Sequence, residues 1–193
     1  MKEKEEKMKI LSKEIENCRK CALFKTRNNV VVGEGNLNAK IMFIGEAPGF
    51  NEDMQGKPFV GKAGRVLNEL LKHINLKREN VYITSLLKCR PPNNRKPLPQ
   101  EIKYCSEFLN KQISLINPEI ICPLGSYAMN FIFKKYGLDS KKISEVHGRV
   151  FRIPTLNGIL KIIPLFHPAF AVYYPDKKTI LMKDFEVIKK LNK

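Results

Sequence analysis

Four short apolar runs, separated by stretches of helical periodicity, restrict this chain more than any other feature. They are IMFI at 41–44, VYITSLL at 81–87, EIICPLG at 119–125 and LKIIPL at 160–165. Each is rich in β-branched or aromatic residues and apolar along most of its length, which is the pattern of strands covered on both faces. Between them, apolar residues recur at helical spacing. Leu67, Leu70 and Leu71 do so after Gly61 as far as about Ile74, and Ile102, Phe108, Leu109, Ile113 and Ile116 between Gln100 and Pro118. Ala128, Phe131 and Ile132 are expected to face inward on a helix that starts at Ser126, and a last helix is expected at 178–191. This alternation predicts a three-layer α/β/α domain with a parallel sheet of four strands.

Around that frame, VVVGEGN at 30–36 reads as a short strand and turn, and VFRI at 150–153 as another strand, with β structure expected from Ile143 onward. An N-terminal helix (1–16) carries a sparse apolar face of Met8, Ile10 or Leu11, and Ile15, as a solvated cap would. The 193 residues suit a single domain spanning 1–193, with hydrophobic content of 43% and charged content of 28%. No apolar run approaches a membrane span, and the charged N-terminus lacks the apolar core of a signal peptide. A cytoplasmic location and no membrane partner are expected. The net charge of +16 points to a polyanion such as nucleic acid, since cations that neutralise phosphates release condensed counterions. A lysine-rich surface suited to a hot environment or to an AT-biased genome is the competing explanation.

The candidate site starts at the end of the first run. GEAPGFNEDMQGKPFVGKAGR at 45–65 follows the strand and leads into a helix, so it reads as strand, glycine-rich turn, helix, the junction where α/β sheets place ligands. It brings Glu46, Glu52 and Asp53 into a strongly basic protein. The strand ends after Ile44, Ile83 and Leu165 are expected to open on one crevice and bring Glu46, Ser85 and His167 together. Of three histidines, only His167 ends an apolar strand and precedes a proline. It is either a satisfied core imidazole or, with an acid nearby, an acid/base or electrostatic group. His73 and His147 are expected at the surface, His147 with Arg149 within reach of a phosphate. Phe59, in a turn, either stacks on a base or packs beneath the loop. KCRPPNNRKPLP at 88–99 cannot be regular structure.

Five cysteines without a secretory context do not suggest disulfides. Cys122 lies in an apolar strand and reads as core. Cys18, Cys21, Cys89 and Cys105, within 17–105, come from polar or loop-edge segments and suit a shared site. Their spacing leaves an iron–sulfur cluster, zinc and free thiols all open. The site would tie the N-terminal segment to the basic loop.

Taken together, GEAPGFNED with GKPFVGKAGR, the four cysteines, KCRPPNNRKPLP and HPAF, in this order, resemble the family 4 uracil-DNA glycosylases over about residues 17–191. The resemblance implies a four-stranded parallel sheet flanked by helices and a monofunctional hydrolase of base excision repair acting on uracil in single- or double-stranded DNA. It also implies a 4Fe-4S cluster on Cys18, Cys21, Cys89 and Cys105. Glu46 would stabilise the sugar cation and orient water, His167 would face the uracil carbonyl, and Phe59 would stack on the flipped base. Gly45, Ala47, Pro48 and Gly49 would wrap the base, with Ser85 opposite. Arg90, Arg95 and Lys96, with Pro168 and Ala169 of HPAF, would grip phosphates. A monomer is expected; a sliding clamp is a conceivable partner, though neither terminus carries a convincing motif for one.

One position departs from that pattern. The family usually carries an asparagine where Ser85 stands, and a serine can make only part of an amide's pairing with a base edge. A relaxed preference that includes hypoxanthine is therefore an alternative, and a non-catalytic iron–sulfur DNA-binding module is another. A redox or nucleotide-dependent iron–sulfur enzyme is disfavoured, since neither G-x-x-x-x-G-K-[ST] nor G-x-G-x-x-G occurs in the turn.

Overall fold

A computed structural model describes residues 2–192, so Met1, which belongs to the expected N-terminal helix, and Lys193 lie outside the described residues. The strands are β1 (Glu34–Gly35), β2 (Ile41–Gly45), β3 (Tyr82–Ser85), β4 (Ile120–Pro123), β5 (Phe151–Thr155) and β6 (Gly158–Ile162). The α-helices are α1 (Lys2–Glu16), α2 (Phe50–Gln55), α3 (Lys62–His73), α4 (Pro99–Ile116), α5 (Ser126–Lys135), α6 (Ile143–Val146), α7 (Ala169–Tyr173) and α8 (Lys178–Leu191). The sheet runs β1-β3-β2-β4-β6-β5. Its inner four strands are parallel, as expected, and an antiparallel strand flanks each side, so the sheet has six strands rather than four.

Period-two alternation divides each inner strand between two cores. Met42, Ile44, Tyr82 and Ile121 join α1, α4 and α5 on one face. Ile41, Phe43, Ile83 and Ile120 join α3, α7 and α8 on the other. Every residue of β2, β3 and β4 is buried, which is why those runs carry no polar face. On the second face the rings of Phe43 and Phe185 stack 5.7 Å apart and 10° from parallel. On the first, Met8, Leu11 and Ile15 of α1 are buried against α4, while Ile10 is exposed.

Several boundaries differ from expectation for identifiable reasons. The valines at 30–32 form no strand, because the Val31 amide is taken by the Lys88 carbonyl at 2.8 Å; the ladder begins only after Gly33, at Glu34. A short helix, α2, stands inside the 45–65 turn, with Gly56 closing it at positive φ. Residues 143–146 are helical rather than β, with Val146 as their buried anchor. In α5, Ala128, Met129, Ile132 and Phe133 are buried and Phe131 only half-buried, a rotation of the expected face by one position. The last parallel strand stops at Ile162, and the chain rejoins the sheet at Leu165 through a parallel bridge to Leu124. Backbone bonding to the β4 segment continues between them, the Ile163 amide donating to the Ile121 carbonyl at 2.9 Å and the Leu165 amide to the Pro123 carbonyl at 3.0 Å, while the Pro164 carbonyl accepts the Gly148 amide on the other side.

The loops after β2 and β6 lead to helices on one face of the sheet, and those after β3 and β4 to helices on the other. Adjacent loops that part in this way leave a crevice at the carboxyl edge.

Removing the ring of Phe185 leaves a cavity between α8 and the sheet. Phe185→Ala is expected to cost about 3–5 kcal/mol and to lower the melting temperature by on the order of 10 °C in a reversible thermal scan.

Candidate active site

At that carboxyl edge lies a cleft of about 550 Å³, lined by Glu46, Phe59, Ser85 and His167 among others. Its size suits a small organic ligand such as a nucleobase. Backbone pairing explains the convergence. Gly45 and Ser85 are register partners at the ends of β2 and β3. Beyond them, the Leu86 amide donates to the Gly45 carbonyl at 2.9 Å and the Leu87 amide to the Glu46 carbonyl at 3.0 Å. The Leu124–Leu165 bridge then delivers His167 from the far side.

Glu46 is half-buried, and desolvation raises its carboxyl pKa above the ordinary range, with the charge of Lys96 opposing the rise. His167 accepts a hydrogen bond at Nδ1 from the Ala169 amide at 3.2 Å, so the proton of the neutral ring resides on Nε2. Loss of solvation holds its pKa down at about 4, against a weaker upward pull from Glu52. The imidazole is therefore neutral and a donor at neutral pH.

Phe59 packs beneath the loop and also reaches the cleft. It is 7% exposed and part of the core on the α3 face, yet it also lines the cleft. Its ring stacks on His167, with centroids 5.6 Å apart. Its φ of 51° is a left-handed conformation that a bulky residue adopts only when surroundings hold it there. Arg78 is one such hold, donating to the Phe59 carbonyl at 3.2 Å and to the Pro58 carbonyl. Glu52 is another, since its Oε1 accepts the Val60 and Gly61 amides at 2.9 and 2.8 Å. Glycine is required where this turn is most crowded: a Cβ on Gly45 would come within 2.7 Å of the Phe59 ring, and one on Gly64 would collide with the Phe59 carbonyl. Gly45 thus makes room for Phe59, while Ala47, Pro48 and Gly49 line the cleft directly.

Ser85 is buried at the cleft, and its Oγ has no hydrogen-bond partner among the described residues. The expected phosphate grips divide. Lys96 is exposed near Glu46. Arg90 lies over the Phe50 ring at 5.2 Å and donates to Asn94. Arg95 borders the cleft, but its guanidinium forms a two-pronged pair with buried Glu101 at 2.9 and 2.5 Å, so its first duty is to hold the loop. Pro168 is buried at the start of α7, and Ala169 lines the cleft.

Neither remaining histidine is a free surface group. His147 Nδ1 lies 2.8 Å from Asp184, with its ring against Phe166, and His73 meets Glu186 at 2.8 Å. Cleft residues that escaped sequence reasoning include Asn51, Lys62 and Tyr173, the last 77% exposed. Their proximity to the glycine-rich turn and to HPAF was the available signal.

Behind the cleft, Cys18, Cys21, Cys89 and Cys105 all line one small cavity, and Cys122 is core. Among the described residues, no three His, Cys, Asp or Glu side chains converge as a single-ion site would. Cys89 Sγ receives a guanidinium N–H of Arg27 at 3.1 Å, and Cys105 Sγ the Lys88 amide at 3.3 Å. Burial pushes the Cys105 thiol up to about 12 and raises Cys89 as well, so thiolates here need a cationic partner.

The profile of the uracil DNA glycosylase superfamily matches residues 32–192. The chain is 45% identical to a type-4 uracil-DNA glycosylase of Archaeoglobus fulgidus, over 96% of this chain and 94% of that protein. It is also 45% identical to one of Thermotoga maritima, over 96% and 95%, and 46% identical to one of Saccharolobus solfataricus, over 93% and 84%. With these matches spanning the sheet, the cleft and the cysteine cavity alike, the chain belongs to the uracil DNA glycosylase superfamily and, within it, to the type-4 uracil-DNA glycosylases.

Proposed function

We propose that the chain excises uracil from DNA with Glu46 and His167 as the reacting pair. Membership of the family makes it a DNA glycosylase of repair, a hydrolase of N-glycosidic bonds. The observation that carries the assignment of roles is the meeting of a carboxylate, a neutral imidazole and an aromatic ring in one cleft large enough to admit a nucleobase.

The substrate base must leave the stack to reach such a cleft, and a ring like Phe59 offers a flat apolar face to receive it. Bond cleavage separates a sugar cation from a uracil anion. Glu46, ionised, stabilises the cation and orients the water that adds to it. His167 donates from Nε2 to the oxygen on which negative charge develops; being neutral, it does so without giving up its proton. Ser85 supplies a hydroxyl to the base edge. Lys96 and Arg90 contribute sequence-blind attraction to phosphates. Because the free Ser85 Oγ is shorter than an amide, a relaxed preference that includes hypoxanthine is the second reading.

The cysteine set fits a 4Fe-4S cluster. The four cysteines line one cavity and come from separate segments of the chain, Cys18 and Cys21 from one and Cys89 and Cys105 from further along, and four cysteine thiolates are the usual ligand set of such a cluster. Bound there, the cluster would supply cross-linking of the segments that carry its ligands, and no electron is needed for hydrolysis. The two N–H donors on Cys89 and Cys105 would lower the basicity of their sulfurs.

Incubation with uracil-containing DNA, followed by alkali, should cut the strand for wild type. Glu46→Ala and His167→Ala should each lower single-turnover rates by roughly 10²–10³-fold. An intact strand with wild type would refute the reading, and parallel substrates with hypoxanthine or a thymine mismatch decide between strict and relaxed use. The pH profile tests the charge of Glu46. Its ionised form is the active one, so kcat/KM falls as pH drops through its raised pKa; Lys96→Met removes the opposing charge and should move that acid limb to higher pH. His167, with a pKa of about 4, should add no limb near neutrality. Cys89→Ala should abolish the visible iron–sulfur absorbance and lower the melting temperature, whereas an unchanged spectrum would remove Cys89 from the ligand set.

A further inference from the structure

Lys88 lies 1% exposed between the cleft and the cysteine cavity, an unusual place for an ammonium. Its Nζ hydrogens have three acceptors: the Ser85 carbonyl at 2.7 Å, Thr84 Oγ1 at 2.6 Å and Gln112 Oε1 at 2.6 Å. The second rank is also bonded. Thr84 Oγ1 donates to the Val32 carbonyl at 2.8 Å, and Gln112 Nε2 donates to that carbonyl at 2.9 Å and to the Tyr82 hydroxyl at 3.2 Å. A methionine would fill the same space without desolvating a charge, so packing alone does not explain the ammonium.

The strand geometry does. The Leu86 amide points to β2, where it bonds Gly45, so the Ser85 carbonyl points the other way, toward the edge of the sheet. There β1 pairs only with Tyr82 and Ile83 and ends before reaching Ser85. The carbonyl at the very residue that faces the base thus has no ladder partner, and a buried carbonyl without one is costly. Lys88 supplies the donor from three residues further along the chain.

We propose that Lys88 is a positioning residue for base recognition: by fixing the Ser85 carbonyl it orients the peptide and sets the direction in which Ser85 Oγ enters the cleft. A serine, with its short arm, depends on backbone placement more than a longer side chain would. The inference rests on the uracil-excision reading and adds to it a residue outside the cleft.

A double-mutant cycle with Ser85→Ala tests it, since only residues that act together are non-additive. Lys88→Met is expected to lower kcat/KM on uracil-containing DNA roughly tenfold or more, and by less than about threefold when introduced into the Ser85→Ala background. Equal factors in both backgrounds overturn the proposal, as does wild-type activity in Lys88→Met. A loss of cleavage that merely tracks loss of the iron–sulfur absorbance also overturns it, because Lys88 would then serve the cysteine loop. Should Lys88→Met not fold, Thr84→Val, which removes one of the three acceptors, enters the same cycle with a smaller expected effect of the same pattern. Hydrogen–deuterium exchange of the unliganded protein provides a readout independent of activity. Uptake in the peptide covering residues 85–88 should rise in the variant; unchanged uptake there overturns the proposal. A wild type that leaves uracil in place would refute the glycosylase reading instead, and exchange would still decide the positioning claim.

Discussion

The register that pairs Gly45 with Ser85 at the carboxyl edge of the sheet is the constraint from which the site follows. A parallel ladder has no freedom to slip when both faces of its strands are buried, because a one-residue shift would exchange the two cores. Met42 and Ile44 would then trade places with Ile41 and Phe43, against helices whose apolar faces are shaped for the present arrangement. Once register is set, Glu46 and Ser85 emerge side by side, and the opposite departures of their loops open the space between them. The chemistry inherits its geometry from hydrophobic packing several residues away.

Around that edge the protein replaces missing secondary structure with charged side chains. Arg78 holds the left-handed Phe59 turn, Arg95 and Glu101 hold the proline-rich loop, and Lys88 completes the end of β3. Buried Asp53 ties the cleft wall to a distant loop, accepting the Asn28 amide at 3.0 Å and the Asn29 amide at 3.3 Å. Loops fastened in this way bring side chains to the reaction already ordered, so less entropy is lost when substrate binds. They also redistribute the basic charge, since part of the +16 works inside the molecule rather than on DNA.

The inner strands and most helices were legible because each has a strong local signal. A run such as IMFI has no polar face to expose, and the spacing of Leu67, Leu70 and Leu71 admits one helical face. The meeting of Glu46, Ser85 and His167 was legible for the same reason, since strand ends of a parallel sheet share an edge. The two-residue β1 and the helices α2 and α6 were not, because elements so short are stabilised by contacts rather than by their own periodicity. His147 and His73 read as surface groups, since nothing near them in sequence announces Asp184 or Glu186.

By itself, then, the sequence determined the layered α/β architecture, the chain order of the cysteines and the residue types that reach the crevice, because hydrophobic period and motif spacing are local properties. Only the tertiary structure decided which nitrogen of His167 keeps its proton, that Arg95 is already paired, and that Lys88 serves Ser85. Each of those depends on a hydrogen bond whose partner is chosen by three-dimensional proximity and by the high cost of leaving a buried polar group unmatched.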